Sequence, residues 1–194
     1  MVIRALLVLL ALLFSFPCEA GIIVRGSGGA SCATQSIDQQ NTTYNADADT
    51  YGNRTRGQSI VAGVTTTVYS IIVYGLGVPA GSNGQLKARF GTSADLSASY
   101  LGETDAVDII YDDNYYEYEL IFPSGSRPSQ TASNTYYIAV INTGAVYGDR
   151  FIIAYQNTDV YGSGIFYYSD TNLWNMGDSV GSWDLYFKTK VCDP

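Results

Sequence analysis

The chain has 194 residues, with 18 acidic against 10 basic side chains, a formal net charge of −8 and no histidine. Such an acidic balance disfavours nucleic acid and anionic lipid as partners, and leaves calcium, neutral glycans or other proteins. The absence of imidazole excludes a Ser-His-Asp arrangement, a Cys-His pair and every histidine metal site.

The N-terminus reads as a secretory signal. Arg4 precedes an apolar run over residues 5–16, and Pro17-Cys18-Glu19-Ala20 before Gly21 supplies small residues where a signal peptidase cuts. The run is too short to span a bilayer, and Phe16 and Pro17 stand where a lipidated Cys18 would need small neighbours. We therefore expect a signal peptide over residues 1–20 and one secreted or cell-surface domain over residues 21–194, with no membrane insertion after cleavage. Cleavage leaves Cys32 and Cys192, one near each end of the mature chain, and an oxidising compartment favours a disulfide between them.

Strand signals follow one another along the mature chain. A weak candidate at residues 22–25 precedes an Asn-, Thr- and Asp-rich stretch, 39–55, which reads as an exposed loop holding the sequons Asn41-Thr42-Thr43 and Asn53-Arg54-Thr55. Residues 64–74 form a β-branched run that is not clearly two-faced, as expected of a central strand. In residues 85–90, Leu86, Ala88 and Phe90 oppose Gln85, Lys87 and Arg89. In residues 115–122, Tyr116, Tyr118, Leu120 and Phe122 oppose Glu117 and Glu119. Further runs lie at 135–141, 150–156 and 164–168. In residues 183–191, Trp183, Leu185, Phe187 and Val191 oppose Asp184, Tyr186, Lys188 and Lys190, which assigns Trp183 to the core.

Turn builders such as Asp112-Asp113-Asn114 and Asn142-Thr143-Gly144 separate these runs, and helical periodicity is missing after the signal. The pattern predicts an all-β protein, an antiparallel β-sandwich of about eight strands with jelly-roll-like connections. An immunoglobulin-like sandwich, the rival, usually closes in a shorter chain.

Three segments carry a resemblance. Arg56-Gly57-Gln58-Ser59-Ile60, Tyr161-Gly162-Ser163-Gly164 and Gly181-Ser182-Trp183-Asp184-Leu185-Tyr186-Phe187 resemble the jelly-roll modules of exported bacterial surface proteins. The likeness spans roughly residues 53–191 and implies a fold similar to carbohydrate-binding modules. Unlike most such modules, this chain is read as standing alone, without an attached catalytic domain or sorting signal.

Without histidine, catalysis would have to rest on carboxylates, as in glycoside hydrolysis. Glu117 and Glu119 are the nearest pair, but their i, i+2 spacing places them side by side on one strand face rather than across a cleft, so we expect an exposed sheet face and no enzyme. The aromatic content is more suggestive, with 17 tyrosines against 7 phenylalanines. A tyrosine ring with its polar tip suits a half-exposed surface that meets sugars or protein, although tyrosine also simply fills strands. Tyr111, Tyr115, Tyr161, Tyr168 and Trp174 are the candidate ligand contacts, with Tyr147, Tyr155 and Tyr167 behind them. Trp174, in the polar segment 170–175, is expected to be exposed.

No cofactor is required. A structural calcium ion is the one metal the side chains invite, through Asp47, Asp49, Asp112 and Asp113, all read as loop residues, although neither pair has the spacing of a recognised calcium loop. The expected function is a non-catalytic extracellular module that binds carbohydrate or a protein partner at the cell surface. The alternative is a structural subunit of a filament, surface layer or matrix. It would self-assemble when the apolar Gly21-Ile22-Ile23-Val24, ahead of a glycine-rich joint, adds to a neighbour's sheet edge.

Overall fold

β-branched and aromatic residues alternating with polar ones give this chain two sheets. The computed structural model describes residues 23–25, 32–78, 83–144 and 147–193, so the expected signal peptide lies outside the described residues. The strands are β1 (Ile23–Arg25), β2 (Gln35–Asn41), β3 (Ala46–Thr50), β4 (Thr55–Val61), β5 (Thr66–Gly77), β6 (Gln85–Gly91), β7 (Gly102–Glu103) and β8 (Val107–Asp108). They continue as β9 (Tyr116–Ile121), β10 (Ser129–Gln130), β11 (Thr135–Asn142), β12 (Phe151–Gln156), β13 (Phe166–Ser169), β14 (Asp178–Val180), β15 (Asp184–Leu185) and β16 (Phe187–Cys192). Among the described residues the only helical element is a 3-10 turn at Tyr147–Asp149.

Nine strands make the front sheet, in which β1 borders β9 and β9 borders the long β5. The other side of β5 is shared: its first part pairs with β16 and its last residues with β12. Beyond these, β16 pairs with β2 and β12 with β3. The back sheet runs β14-β13-β4-β11-β6, with β7 and β8 dividing the outer edge of β6. Consecutive strands change layer at most steps, a crossing pattern like that of a jelly roll. Pairing is antiparallel except at β1, which runs parallel to β9. More strands occur than the eight or so expected, because short pieces of two or three residues, such as β7, β8, β10 and β14, pair between the longer runs.

The alternations place the core as expected. Leu86, Ala88 and Phe90 from β6, Tyr118 and Leu120 from β9 with Phe122 beyond it, and Leu185, Phe187 and Val191 all lie buried, most of them in one cluster between the sheets. Each fully buried side chain of this size contributes about 1.5–3 kcal/mol. Strand β5 is central, flanked on both sides, which explains why its sequence is apolar on both faces.

The three segments that carried the resemblance meet inside this frame. Gln58 Nε2 donates to Asp184 Oδ1 at 3.0 Å, and the Leu185 N–H donates back to Gln58 Oε1 at 3.0 Å. The Val160 and Tyr161 N–H groups donate to Asp184 Oδ2 at 2.8 Å each, and the Ile165 N–H donates to Ser59 Oγ at 2.8 Å. Gln58 and Asp184 are buried, so these bonds latch β4 of one sheet to β15 of the other. Gly164 is required here, since any Cβ would strike the Ser59 carbonyl. The three segments thus form a structural latch.

Cys32 and Cys192 are joined as expected, with 5.4 Å between their Cα atoms and a sequence separation of 160. The bond ties the entry of β2 to the end of β16, its ladder neighbour. The bridge is compatible with an extracellular location, and among the described residues no helix is long and apolar enough to cross a membrane.

Several expectations need correction. Trp174 is not exposed: only 6% of it reaches solvent, because its loop pairs with the loop at 94–96 and folds over the back of β11. Leu96 N donates to the Trp174 carbonyl at 2.9 Å, Met176 N donates to that of Ala94 at 3.0 Å, and the Arg89 guanidinium lies over the indole at 4.2 Å. Trp183, assigned to the core, sits half-buried at its margin before β15 begins. The stretch 39–55 is not one loop, since it includes the end of β2 and all of β3. Asp47 and Asp49 are therefore strand residues.

Candidate functional site

The outward face of the front sheet gathers a cluster of tyrosines. Tyr74 stands on β5 directly across from Glu117 on β9, and Tyr186, between β15 and β16, projects to the same side as Lys188. Tyr115 lies at the entry of β9, and Tyr44 in the link between β2 and β3. Their rings form a continuous patch, with centroids 5.2 Å apart for Tyr44 and Tyr74, 5.8 Å for Tyr44 and Tyr115, 5.2 Å for Tyr74 and Tyr115, and 4.9 Å for Tyr74 and Tyr186. Tyr44, 45% exposed, forms the outermost wall.

Beside these rings runs a groove of about 480 Å³, lined by Tyr44, Tyr74, Tyr186, Glu117, Lys188 and Thr42, with Ile23 of β1 on its rim. Glu117 accepts hydrogen bonds from Lys188 Nζ and, at 2.6 Å, from the Tyr186 hydroxyl. The Tyr115 hydroxyl donates to Asp47 Oδ2 at 2.7 Å. Partial burial, reinforced by the carboxylate each one faces, pushes the hydroxyls of Tyr115 and Tyr186 above the ordinary tyrosine value. Burial alone would lift the Glu117 carboxyl, but Lys188, Tyr186 and the nearby Lys190 charge hold it below its ordinary value. The floor therefore offers protonated hydroxyls, an ionised carboxylate and a paired ammonium on rigid strands.

Glu119, one step along β9, is not exposed as its alternation suggested. It keeps only 1% of its surface, accepting from Ser70 Oγ at 2.9 Å and from Lys190 Nζ at 2.8 Å. Glu117 and Glu119 thus lie side by side, each with its own lysine, and not across a cleft from one another.

The five ligand candidates are not brought together. Tyr115 alone joins the cluster. Tyr111 fastens loops, accepting from the Gly84 N–H at 2.8 Å and donating to the Asp149 carbonyl at 3.1 Å. Tyr161 packs edge-on against Phe187 and donates to Gln39 Oε1 at 2.7 Å, and burial raises its hydroxyl to about 12. Tyr168 lines a separate cavity with Trp183, and Trp174 is the cover of the back sheet. Of the reserve candidates, Tyr147 is exposed, Tyr155 is buried and Tyr167 packs on Tyr137. Tyr44, Tyr74, Tyr186 and Lys188 were missed as contacts. The outward parity of Tyr186 and Lys188 was visible in the alternation, whereas the folding of Tyr44 over β5 is a tertiary event with no local signal.

Three of the four aspartates nominated for calcium have protein partners, and the fourth, Asp113, sits at a turn. Asp47 accepts from Tyr115; Asp49 lies 3.6 Å from Arg54 and 3.9 Å from Arg150. Asp112 accepts from the Asn114 N–H and the Tyr116 hydroxyl, and Asp113 occupies a left-handed turn position with φ of 65°. Among the described residues no group of three or more carboxylate or cysteine side chains gathers in metal-binding geometry.

No protein-family model matches the chain, and no curated protein matches it.

Proposed function

We propose that this protein is a non-catalytic extracellular binding module that holds a carbohydrate on the tyrosine face of its front sheet. The observation that supports this reading is the cluster of Tyr44, Tyr74, Tyr115 and Tyr186 beside a 480 Å³ groove in which Glu117 is held by Lys188 and Tyr186. The exposed ring of Tyr44 and the half-buried rings of Tyr74 and Tyr115 take the C–H faces of sugars, with the buried Tyr186 as their support, while Glu117, Thr42 and the phenolic oxygens meet hydroxyl groups at the rim. The fixed strands limit the ordering cost of binding. The side-by-side placement of Glu117 and Glu119 argues against glycoside hydrolysis, which needs two acids flanking one bond.

Isothermal calorimetry against neutral oligosaccharides tests the reading. Tyr44→Ala, the substitution least costly to the fold, is expected to weaken binding by about tenfold or more, equivalent to roughly 1.4 kcal/mol. Equal affinity for Tyr44→Ala and the unaltered protein would remove the tyrosine face from consideration.

A second reading, a structural subunit that polymerises by strand addition, is favoured by β1, which lies in parallel register on the edge of β9 at Glu117–Glu119. The same edge would accept the equivalent segment of a neighbouring copy. Size-exclusion chromatography of the mature chain with and without residues 21–25 decides it, and identical monomeric profiles would dismiss it.

A further inference from the structure

We propose a second ligand subsite, at a mouth between the two sheets, that takes the terminal ring of a neutral saccharide; its ligand class rests on the carbohydrate reading above. A cavity of about 270 Å³ opens there, lined by Ala48 from the front sheet, Arg56, Phe166 and Tyr168 from the back sheet, and Asp170 and Trp183. Its size lies just below the usual range for pockets that take a whole drug-sized molecule, which suits one ring better than an oligosaccharide.

The walls are aromatic and set in place before any guest arrives. Trp183 stacks on Tyr155 with centroids 4.8 Å apart and planes 27° from parallel, and Tyr168 lies nearly parallel to Phe166. Trp183 remains half-buried because its other side borders this cavity.

The polar side of the cavity is also built. Arg56 is buried, and its Nη1 donates to the carbonyls of Thr55 at 2.9 Å and Ser169 at 3.2 Å while Nη2 donates to Asp170 Oδ1 at 2.8 Å. A guanidinium has five N–H donors, so this fixed head still has donors to offer. The Asp170 side chain is half exposed, with its second oxygen an acceptor toward solvent. A donor and an acceptor side by side match two adjacent ring hydroxyls, one accepting and one donating. Arg54 shares the same carboxylate, its Nε 3.6 Å from Asp170 Oδ1, and its Nη1 lies 3.6 Å from Asp49, so the two guanidiniums are matched by two carboxylates. An anion approaching Arg56 also meets Asp170, so the site favours a neutral ring over an acidic one.

Trp183 reports on the site directly. With Trp174→Phe it becomes the only indole in the chain. Titration with hexasaccharides of glucose, mannose, xylose, galactose and N-acetylglucosamine is expected to give a saturable change in Trp183 emission with at least one of them. The response should weaken by about tenfold in the further variant Asp170→Ala and persist in Tyr44→Ala. If Trp174→Phe does not fold, the Trp183 indole N–H resonance of the unaltered protein gives the same reading. Calorimetric binding with a silent Trp183, a response indifferent to Asp170→Ala, or a response only to oligogalacturonate would overturn the subsite. Binding lost in Tyr44→Ala with Trp183 silent overturns the subsite and leaves the tyrosine face standing. A Trp183 response with affinity unchanged in Tyr44→Ala upholds the subsite and overturns the tyrosine face.

Discussion

Trp174 links sequence, backbone and packing closely enough for its removal to be calculated. The indole is buried against Leu96, Ala139, Ile141 and Met176, with Arg89 clamped between it and Tyr100 at 4.2 and 4.1 Å. Truncating a buried aromatic of this size costs about 3–5 kcal/mol, with the lost cation–π contact included at the upper end. For a domain of this length that lowers Tm by about 6–20 °C. The backbone supplies a second, less obvious expectation. Trp174 has φ of 66°, a left-handed conformation that costs a non-glycine residue about 1–2 kcal/mol. Trp174→Gly relieves that cost and is expected to be no less stable than Trp174→Ala, the reverse of the order found in ordinary strands. Urea unfolding of both variants, followed by circular dichroism, measures the two effects. A loss below about 1 kcal/mol for Trp174→Ala would refute the role of this loop as the cover of the back sheet.

Three further outcomes are expected. Replacing both Cys32 and Cys192 by serine should lower stability by up to about 5 kcal/mol in urea, the chain-entropy limit for so long a loop, and an unchanged midpoint would contradict the bridge's role. Stability should be highest between the ordinary glutamate and tyrosine values, 4.5 and 10.0. The depressed carboxyls of Glu117 and Glu103 lose their contribution as pH falls below 4.5, and the raised hydroxyls of Tyr115 and Tyr186 lose theirs as pH rises above 10.0. Unfolding free energies measured across pH check both limbs, and stability still rising above pH 10.0 would contradict the second. Expressed in a host that glycosylates sequons, the folded protein should carry glycan at exposed Asn53 and not at Asn41, whose amide is buried and donates to the Leu185 carbonyl at 3.0 Å. Glycopeptide mass spectrometry reads this out, and full occupancy at Asn41 would contradict it.

Much of the fold was legible because period-two alternation reports burial directly. Leu86, Ala88 and Phe90, like Tyr118, Leu120 and Phe122, fall inside as their spacing required. The disulfide was legible for a different reason: removing the expected signal leaves only two cysteines, and they pair. The site was less so. Local composition marked segment 170–175 as polar loop, yet two loops distant in sequence pair and close over Trp174. Likewise β3 reads as loop because Asp47 and Asp49 are poor strand formers, and it is a strand because β12 supplies its ladder partner. Glu119 looked like surface by parity, but Ser70 and Lys190 enclose it. Tyrosine content announced an aromatic surface. Which rings share it depends on how the β2–β3 link brings Tyr44 over β5, and strand periodicity carries no trace of that.

The central claim is that a ligand rests on the rings of Tyr44, Tyr74, Tyr115 and Tyr186, and NMR of the protein with isotope-labelled tyrosine rings tests it most directly. On titration with a bound neutral oligosaccharide, ring resonances of these four should shift together while those of Tyr111, Tyr136 and Tyr137 stay in place. Saturable binding that leaves all four unmoved would contradict the account.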